Sequence, residues 1–212
     1  MNENTHPYTP QDLERLRALT ATWDTLESGI PYKQLVDYHS YNAYGSYNLS
    51  NEEWDNREMI FNFKNNSELT DPISHRQAME KAIALFTRLL NDTFGECLPM
   101  LTLACIPAST AEKTRARFEE FAQLVAQDTG MTNAYEHIHV VADQDPEHLG
   151  DSHLPQYAFD ADFFNGRLVL LFDDIMATGG SMGKFAERLQ ETGALVAAAV
   201  VLGKTVRKPT AE

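Results

Sequence analysis

Two adjacent carboxylates, Asp173 and Asp174, are followed after Ile175-Met176-Ala177 by Thr178-Gly179-Gly180-Ser181. Paired carboxylates accept hydrogen bonds from sugar hydroxyls, or hold Mg²⁺ through water. A glycine turn that opens a helix presents backbone N–H groups and the positive helix end, which favour phosphate. Together these residue types describe a site for a phosphorylated, hydroxyl-rich ligand. Two other phosphate patterns fail at identifiable positions. A P-loop needs Gly, four residues, Gly-Lys and then Ser or Thr; Gly183-Lys184 is present, but Thr178 stands at the first glycine and Phe185 at the hydroxyl. The Gly-x-Gly-x-x-Gly dinucleotide fingerprint is absent, and paired aspartates would repel a pyrophosphate lying directly on the loop.

The elements that must position these residues follow from periodicity. An apolar run predicts a strand over 168–173, and Met182, Phe185, Ala186 and Leu189 predict a helix over 180–192 ended by Gly193. From residue 100 the pattern alternates. A strand at 100–106 leads into the turn Pro107-Ala108-Ser109-Thr110, and a helix over 112–129 follows. A strand at 138–142, a long loop at 143–165 and a last strand at 195–202 complete the series. Short, nearly all-apolar strands separated by helices predict an α/β fold, a three-layer sandwich with a mainly parallel central sheet. Ligands on such sheets bind at the carboxyl ends of the strands. The 107–110 turn and the 173–181 loop both belong to that edge.

The first half is less regular. Thr9 and Pro10 begin a predicted helix over 9–27, with Leu13, Leu16, Leu19, Trp23 and Leu26 as its stripe. The Tyr- and Asn-rich stretch 32–56 has neither helical nor strand period and reads as irregular, or as a hood over a ligand. Residues 58–64 read as a strand, Asn65-Asn66-Ser67 as a turn, and 75–92 as a helix with capping-box spacing at Ser74 and Gln77. The expected division is a helical and Tyr-rich extension or hood over 1–98, an α/β core over 99–205 and a tail over 206–212.

The net charge of −14 over 212 residues argues against nucleic acid as a partner. No signal peptide and no apolar run of membrane-spanning length is visible, so a soluble cytoplasmic protein without membrane contact is expected. Cys97 and Cys105 have no disulfide or metal spacing. His137 and His139 alternate on the expected strand and read as an exposed face, since no third ligand accompanies them. Lys113, Arg115 and Arg117 concentrate positive charge just beyond the 107–110 turn. The 143–165 loop carries Asp143, Asp145, Glu147, Asp151, Asp160 and Asp162 with no Lys or Arg, and only His148 and His153 as candidate cations.

The stretch Val169-Leu170-Leu171-Phe172-Asp173-Asp174-Ile175-Met176-Ala177-Thr178-Gly179-Gly180-Ser181 resembles the phosphoribosyl-pyrophosphate (PRPP) motif of type I phosphoribosyltransferases. That motif runs four apolar residues, two acidic, two apolar, one small or polar, then Thr-Gly and a hydroxyl-bearing end. The layout from about 99 to 205 is similar to competence-associated phosphoribosyltransferase-like proteins. The resemblance implies that Asp173 and Asp174 engage the ribose hydroxyls directly or through Mg²⁺, as catalytic and metal-holding residues. It implies that Ala177, Thr178, Gly179, Gly180 and Ser181 cradle the 5-phosphate. Pro107, Ala108, Ser109 and Thr110, with Arg115 and Arg117, would receive pyrophosphate, and Lys204 would read the base. The 6-oxopurine enzymes carry Asp where this chain has Ala177, whereas adenine enzymes share Ala-Thr-Gly-Gly. The implied activity is Mg²⁺-dependent transfer of ribose 5-phosphate from PRPP to a nitrogenous base, with release of pyrophosphate. The implied partner is PRPP or a nucleoside 5'-monophosphate, and a homodimer is the oligomer to test. The cation-free 143–165 loop instead favours a non-catalytic sensor of PRPP or nucleotide on the same fold, and a purely structural subunit is the third alternative.

Overall fold

The computed structural model describes residues 8–40, 49–65, 69–141 and 156–206. Expectations for Tyr41, Tyr44 and Tyr47, for the acidic residues and histidines of 142–155, and for the tail beyond Val206 lie outside the described residues. The elements are α1 (Pro10–Leu19), β1 (Asp24–Thr25), β2 (Pro31–Tyr38), α2 (Asn51–Phe63), α3 (Pro72–Phe94), β3 (Leu101–Cys105) and α4 (Ala111–Thr114). A π turn, Arg115–Glu119, continues α4 into α5 (Glu120–Thr129). There follow β4 (Thr132–Asn133), β5 (Ile138–Val141), β6 (Gln156–Phe159), α6 (Ala161–Phe164), β7 (Leu168–Met176), α7 (Gly180–Gln190) and β8 (Leu195–Thr205).

The main sheet has the order β1-β2-β8-β7-β3-β4, and every pairing except β1 with β2 is parallel. This is the expected three-layer α/β architecture. Alternation along β7 sends Leu168, Leu170 and Phe172 to one face, where α1, α2, α3 and α5 pack. Val169 and Leu171 go to the other, where α7 packs with Leu26, Ile30 and Phe164. On the first face Phe172 stacks on Phe121 at 4.4 Å and meets Phe86 at 4.7 Å between ring centroids.

Several elements differ from expectation. The helix expected over 9–27 stops at Leu19; Thr20 caps it, and the chain turns into β1 with Leu26 still buried on the opposite face. The Tyr-rich stretch supplies β2, a parallel neighbour of β8, because tertiary pairing overrides its poor periodicity. Residues 58–64 fall within helix α2 and its C-cap rather than a strand: Ser50 and Glu53 form a capping box, and Met59, Ile60 and Phe63 make the buried stripe. The next helix begins at Pro72, capped by Asp71 rather than Ser74. β5 pairs antiparallel with β6 in a separate ribbon, and Thr132–Asn133 takes the sheet position beside β3. The segment expected as one loop thus contains β6 and the turn of α6.

Phe172 is fully buried at the centre of the aromatic cluster. Phe172→Ala is expected to lower stability by about 3–5 kcal/mol, read by chemical denaturation.

Candidate functional site

The chain leaves β3 along one face of the sheet through α4 and α5, and leaves β7 along the other through α7. Connections that diverge from neighbouring parallel strands open a crevice at their carboxyl ends. The 107–110 and 177–181 segments flank that crevice. Ile106 binds it at the base, its N–H donating to the Phe172 carbonyl at 2.8 Å.

Ala177 and Thr178 are exposed in the bend after β7, and Gly180 and Ser181 are exposed in the first turn of α7. Gly179 has φ +89°, a left-handed conformation that favours glycine. A Cβ there would also lie 2.6 Å from a Leu26 methyl, so the position is closed to side chains by packing as well as by backbone. α7 has no capping side chain. By contrast α1, α2, α3, α4 and α6 begin with Thr9, Ser50, Asp71, Thr110 and Asp160 accepting from their first turns. The first amides of α7 are therefore left to an external acceptor, and an anion is the acceptor the helix end favours.

The acidic pair is divided. Asp174 is only 6% exposed, and its Oδ2 accepts from Arg117 Nη1 at 2.7 Å. Arg117 Nε donates to the Lys64 carbonyl at 3.0 Å, and the Lys64 ammonium stands 3.9 Å from Asp174 Oδ1. Asp173 is half-buried and accepts only the Asp174 N–H, at 2.8 Å, among the described residues. Burial, followed by the Asp174 charge, pushes its carboxyl well above the usual range, with that N–H, Lys64 and Arg117 opposing. Asp173 also acts on its neighbours. The Tyr157 hydroxyl is pushed up to about 12, by burial first and then by Asp173, so it stays a donor. The buried Cys105 thiol is raised by the same two causes, which leaves it protonated and a poor nucleophile.

The remaining candidates scatter. Pro107 is buried, Ser109 and Thr110 are exposed, and the Thr110 hydroxyl is engaged in capping α4. Arg115 is exposed on the π turn and has no described ion pair; Arg117 reaches the acidic pair instead of the turn. Lys204 donates to the Tyr32 hydroxyl and lies 4.9 Å from that ring's centroid. His137 and His139 do not share a strand face. His137 ends a 3₁₀ turn, its ring stacked on Phe163 at 3.5 Å and paired with Asp160 at 2.9 Å. Lys64 and Tyr157 were missed by the sequence reading. Lys64 borders the Asn65 turn signal, whereas nothing local marks Tyr157, whose hydroxyl lies 3.4 Å from the Pro107 carbonyl.

No group of three or more His, Cys, Asp or Glu side chains among the described residues could hold a metal ion by itself. Asp173 offers one carboxylate that no cation pairs. That fits Mg²⁺ only as an ion already held by a ligand's oxygens.

Solved structures similar to this chain include two phosphoribosyltransferases. An adenine phosphoribosyltransferase from Thermoanaerobacter pseudethanolicus is 16% identical, with a TM-score of 0.40, over 62% of this chain and 83% of its own. A purine phosphoribosyltransferase from Pyrococcus horikoshii is 12% identical, with a TM-score of 0.33, over 63% of this chain and 91% of its own. No family model and no curated protein matches the chain in sequence. Neither likeness assigns an activity to this chain.

Two outcomes test this geometry. Arg117→Met strands a buried carboxylate and is expected to cost about 3 kcal/mol in denaturant unfolding, with Arg117→Met/Asp174→Leu recovering most of it. For Asp173, the raised carboxyl favours folding most below its unfolded value of about 3.9, and this contribution is lost as pH rises through its folded value. Asp173→Asn is therefore expected to be more stable than the parent at pH 7 and to lose that advantage near pH 3.

Proposed function

We propose that the protein binds a phosphorylated ribose, PRPP or a nucleoside 5'-monophosphate, and transfers ribose 5-phosphate from PRPP to a nitrogenous base. The uncapped start of α7, preceded by the exposed Thr178 and the left-handed Gly179, carries this reading. The 5-phosphate takes the amides of Gly180 and Ser181 and the hydroxyls of Thr178 and Ser181. Asp173, the carboxylate without a cation, accepts from the ribose hydroxyls and would hold Mg²⁺ through water. Bound Mg²⁺ would supply charge stabilisation for the departing pyrophosphate. In the transfer the bond from ribose C1 to the pyrophosphate oxygen breaks, a bond from C1 to the base nitrogen forms, and the proton on that nitrogen passes to water. The ribose carbon bears positive charge between the two events, which the Asp173 carboxylate stabilises electrostatically.

One observation favours a second reading, a non-catalytic sensor. Asp174 is buried and held by Arg117, which leaves one carboxylate of the pair for the ligand. Turnover separates the two readings. The full chain is incubated with PRPP, Mg²⁺ and a panel of purine, pyrimidine and nicotinate acceptors, and pyrophosphate release is measured. Transfer predicts release with at least one acceptor and a loss of about a hundredfold or more in Asp173→Asn. Binding of PRPP by calorimetry without release from any acceptor establishes the sensor, and failure to bind PRPP or a monophosphate sinks both.

A further inference from the structure

At the far end of α2 from Lys64, a cavity of about 540 Å³ lies between the start of that helix and the outer edge of β2. Asp37, His39, Glu52 and Glu53 line it, and no Lys or Arg does so among the described residues. Glu53 is held by His39 and by the Ser50 N–H at 2.7 Å. Asp37 accepts from Gln34 Nε2 at 2.9 Å, and neither Asp37 nor Glu52 has an ion-pair partner among the described residues. His39 is 4% exposed. Its Nε2 meets Glu53 Oε1 at 2.9 Å, so that nitrogen carries a proton, while Nδ1 is buried with no hydrogen-bond partner among the described residues. In the neutral ring Nδ1 is a bare acceptor, and a buried acceptor left unpaired is costly. The β2 edge adds further acceptors, since β1 covers only Pro31 and Tyr32. The Tyr38 carbonyl accepts from the Val206 N–H on the β8 side at 3.1 Å, so alternation turns the carbonyls of Leu35 and Asp37 to the open edge.

We propose that this cavity binds a linear polyamine, with ammonium groups on Asp37 and Glu52 and one N–H donated to His39 Nδ1. The lining selects for such a ligand by charge, by acceptors and by spacing. A net charge of −14 draws cations toward the chain, and an ammonium brings the donors that the imidazole and the edge carbonyls lack. A single small metal ion needs its ligands gathered on one centre, and no group of three or more His, Cys, Asp or Glu among the described residues is gathered in that way. Carboxylates spread along a cavity instead suit cations spaced along a chain. Leu35 and Val36, both half-buried in the lining, give the methylene groups between the ammoniums an apolar surface. The rise of α2 sets Glu52 about 18 Å from Lys64 along the helix. The polyamine site is therefore separate from the acidic pair, and it stands whether or not the ribose-phosphate reading holds.

Calorimetry on the full chain with spermidine as the probe tests the assignment. The parent protein is expected to bind spermidine at one site, and Mg²⁺ at equal concentration should not displace it. In Asp37→Asn/Glu52→Gln, both at exposed positions, affinity should fall about fivefold or more. Glu120→Gln/Asp128→Asn, which removes the same charge from exposed positions on α5, should stay within about twofold of the parent. His39→Gln can keep a donor toward Glu53 while removing the ring acceptor, and should weaken spermidine in the same direction; the exposed pair remains the test if that variant unfolds. A parent that binds no spermidine overturns the site. Equal losses in the two double variants overturn it as well, because they mark general attraction to an acidic surface. Ready displacement by Mg²⁺ has the same consequence, since it marks a site for any cation.

Discussion

A buried carboxylate without a counter-charge is among the most destabilising groups a fold can contain, and Asp174 is 6% exposed. The structure around the carboxyl edge is arranged to meet that demand. Arg117 supplies the counter-charge at 2.7 Å, and its second donor closes on the Lys64 carbonyl at the end of α2. One guanidinium therefore ties three separate pieces of chain together: the central strand, the π turn and a helix from the first half of the sequence. A π turn inside a helix is uncommon and costs regular hydrogen bonding. Here it falls on Arg115–Glu119, the stretch that carries both Arg117 and the buried Phe118. Phe118 meets Phe172 in the aromatic core while Arg117 reaches the acidic pair immediately beyond it.

The same ion pair separates the two aspartates into different chemical states. Asp174 is compensated and serves the fold. Asp173 is half-buried, and burial and its charged neighbour make it reluctant to ionise. A ligand that brings hydroxyl donors or a bound cation relieves that reluctance, because it supplies what the protein withholds from Asp173. The α7 N-terminus follows the same logic, since five other helices satisfy their first amides with a side chain and this one does not. Unsatisfied donors and an uncompensated carboxylate stand at either end of Ile175–Gly179. Their signs are opposite: backbone donors at one end and a carboxylate acceptor at the other.

The second half of the chain was largely legible because its strands are buried on both faces. Leu168 to Phe172 and Leu195 to Leu202 are nearly unbroken apolar runs, and the left-handed Gly130 that caps α5 is visible in the sequence, whereas α7 stops at Gln190 with Glu191 as its cap, short of the expected Gly193. The strand-to-helix turn of 173–181 was also legible, since it is built from backbone and short side chains close in sequence. The first half was not. Tyr32 to Tyr38 looked irregular because its strand is specified by pairing with β8, more than 160 residues away. Residues 58–64 looked like a strand because a short apolar run does not reveal its period; the cap at Ser50 and packing against Phe118 and Phe121 made it helical.

By itself, then, the sequence determined the alternating α/β order, the position of the acidic pair at the carboxyl edge of a strand, and the glycine turn into a helix that follows it. Those properties are local, set by burial pattern, backbone freedom and side-chain type within a few residues. The tertiary structure decided which aspartate is available, because that depends on Arg117 arriving from another strand's crossover. It decided that Lys64 stands beside Asp174, because α2 packs across the sheet end. Charge compensation acts over a few ångströms of space rather than a few positions of chain, so no reading of neighbours in sequence could have divided the pair.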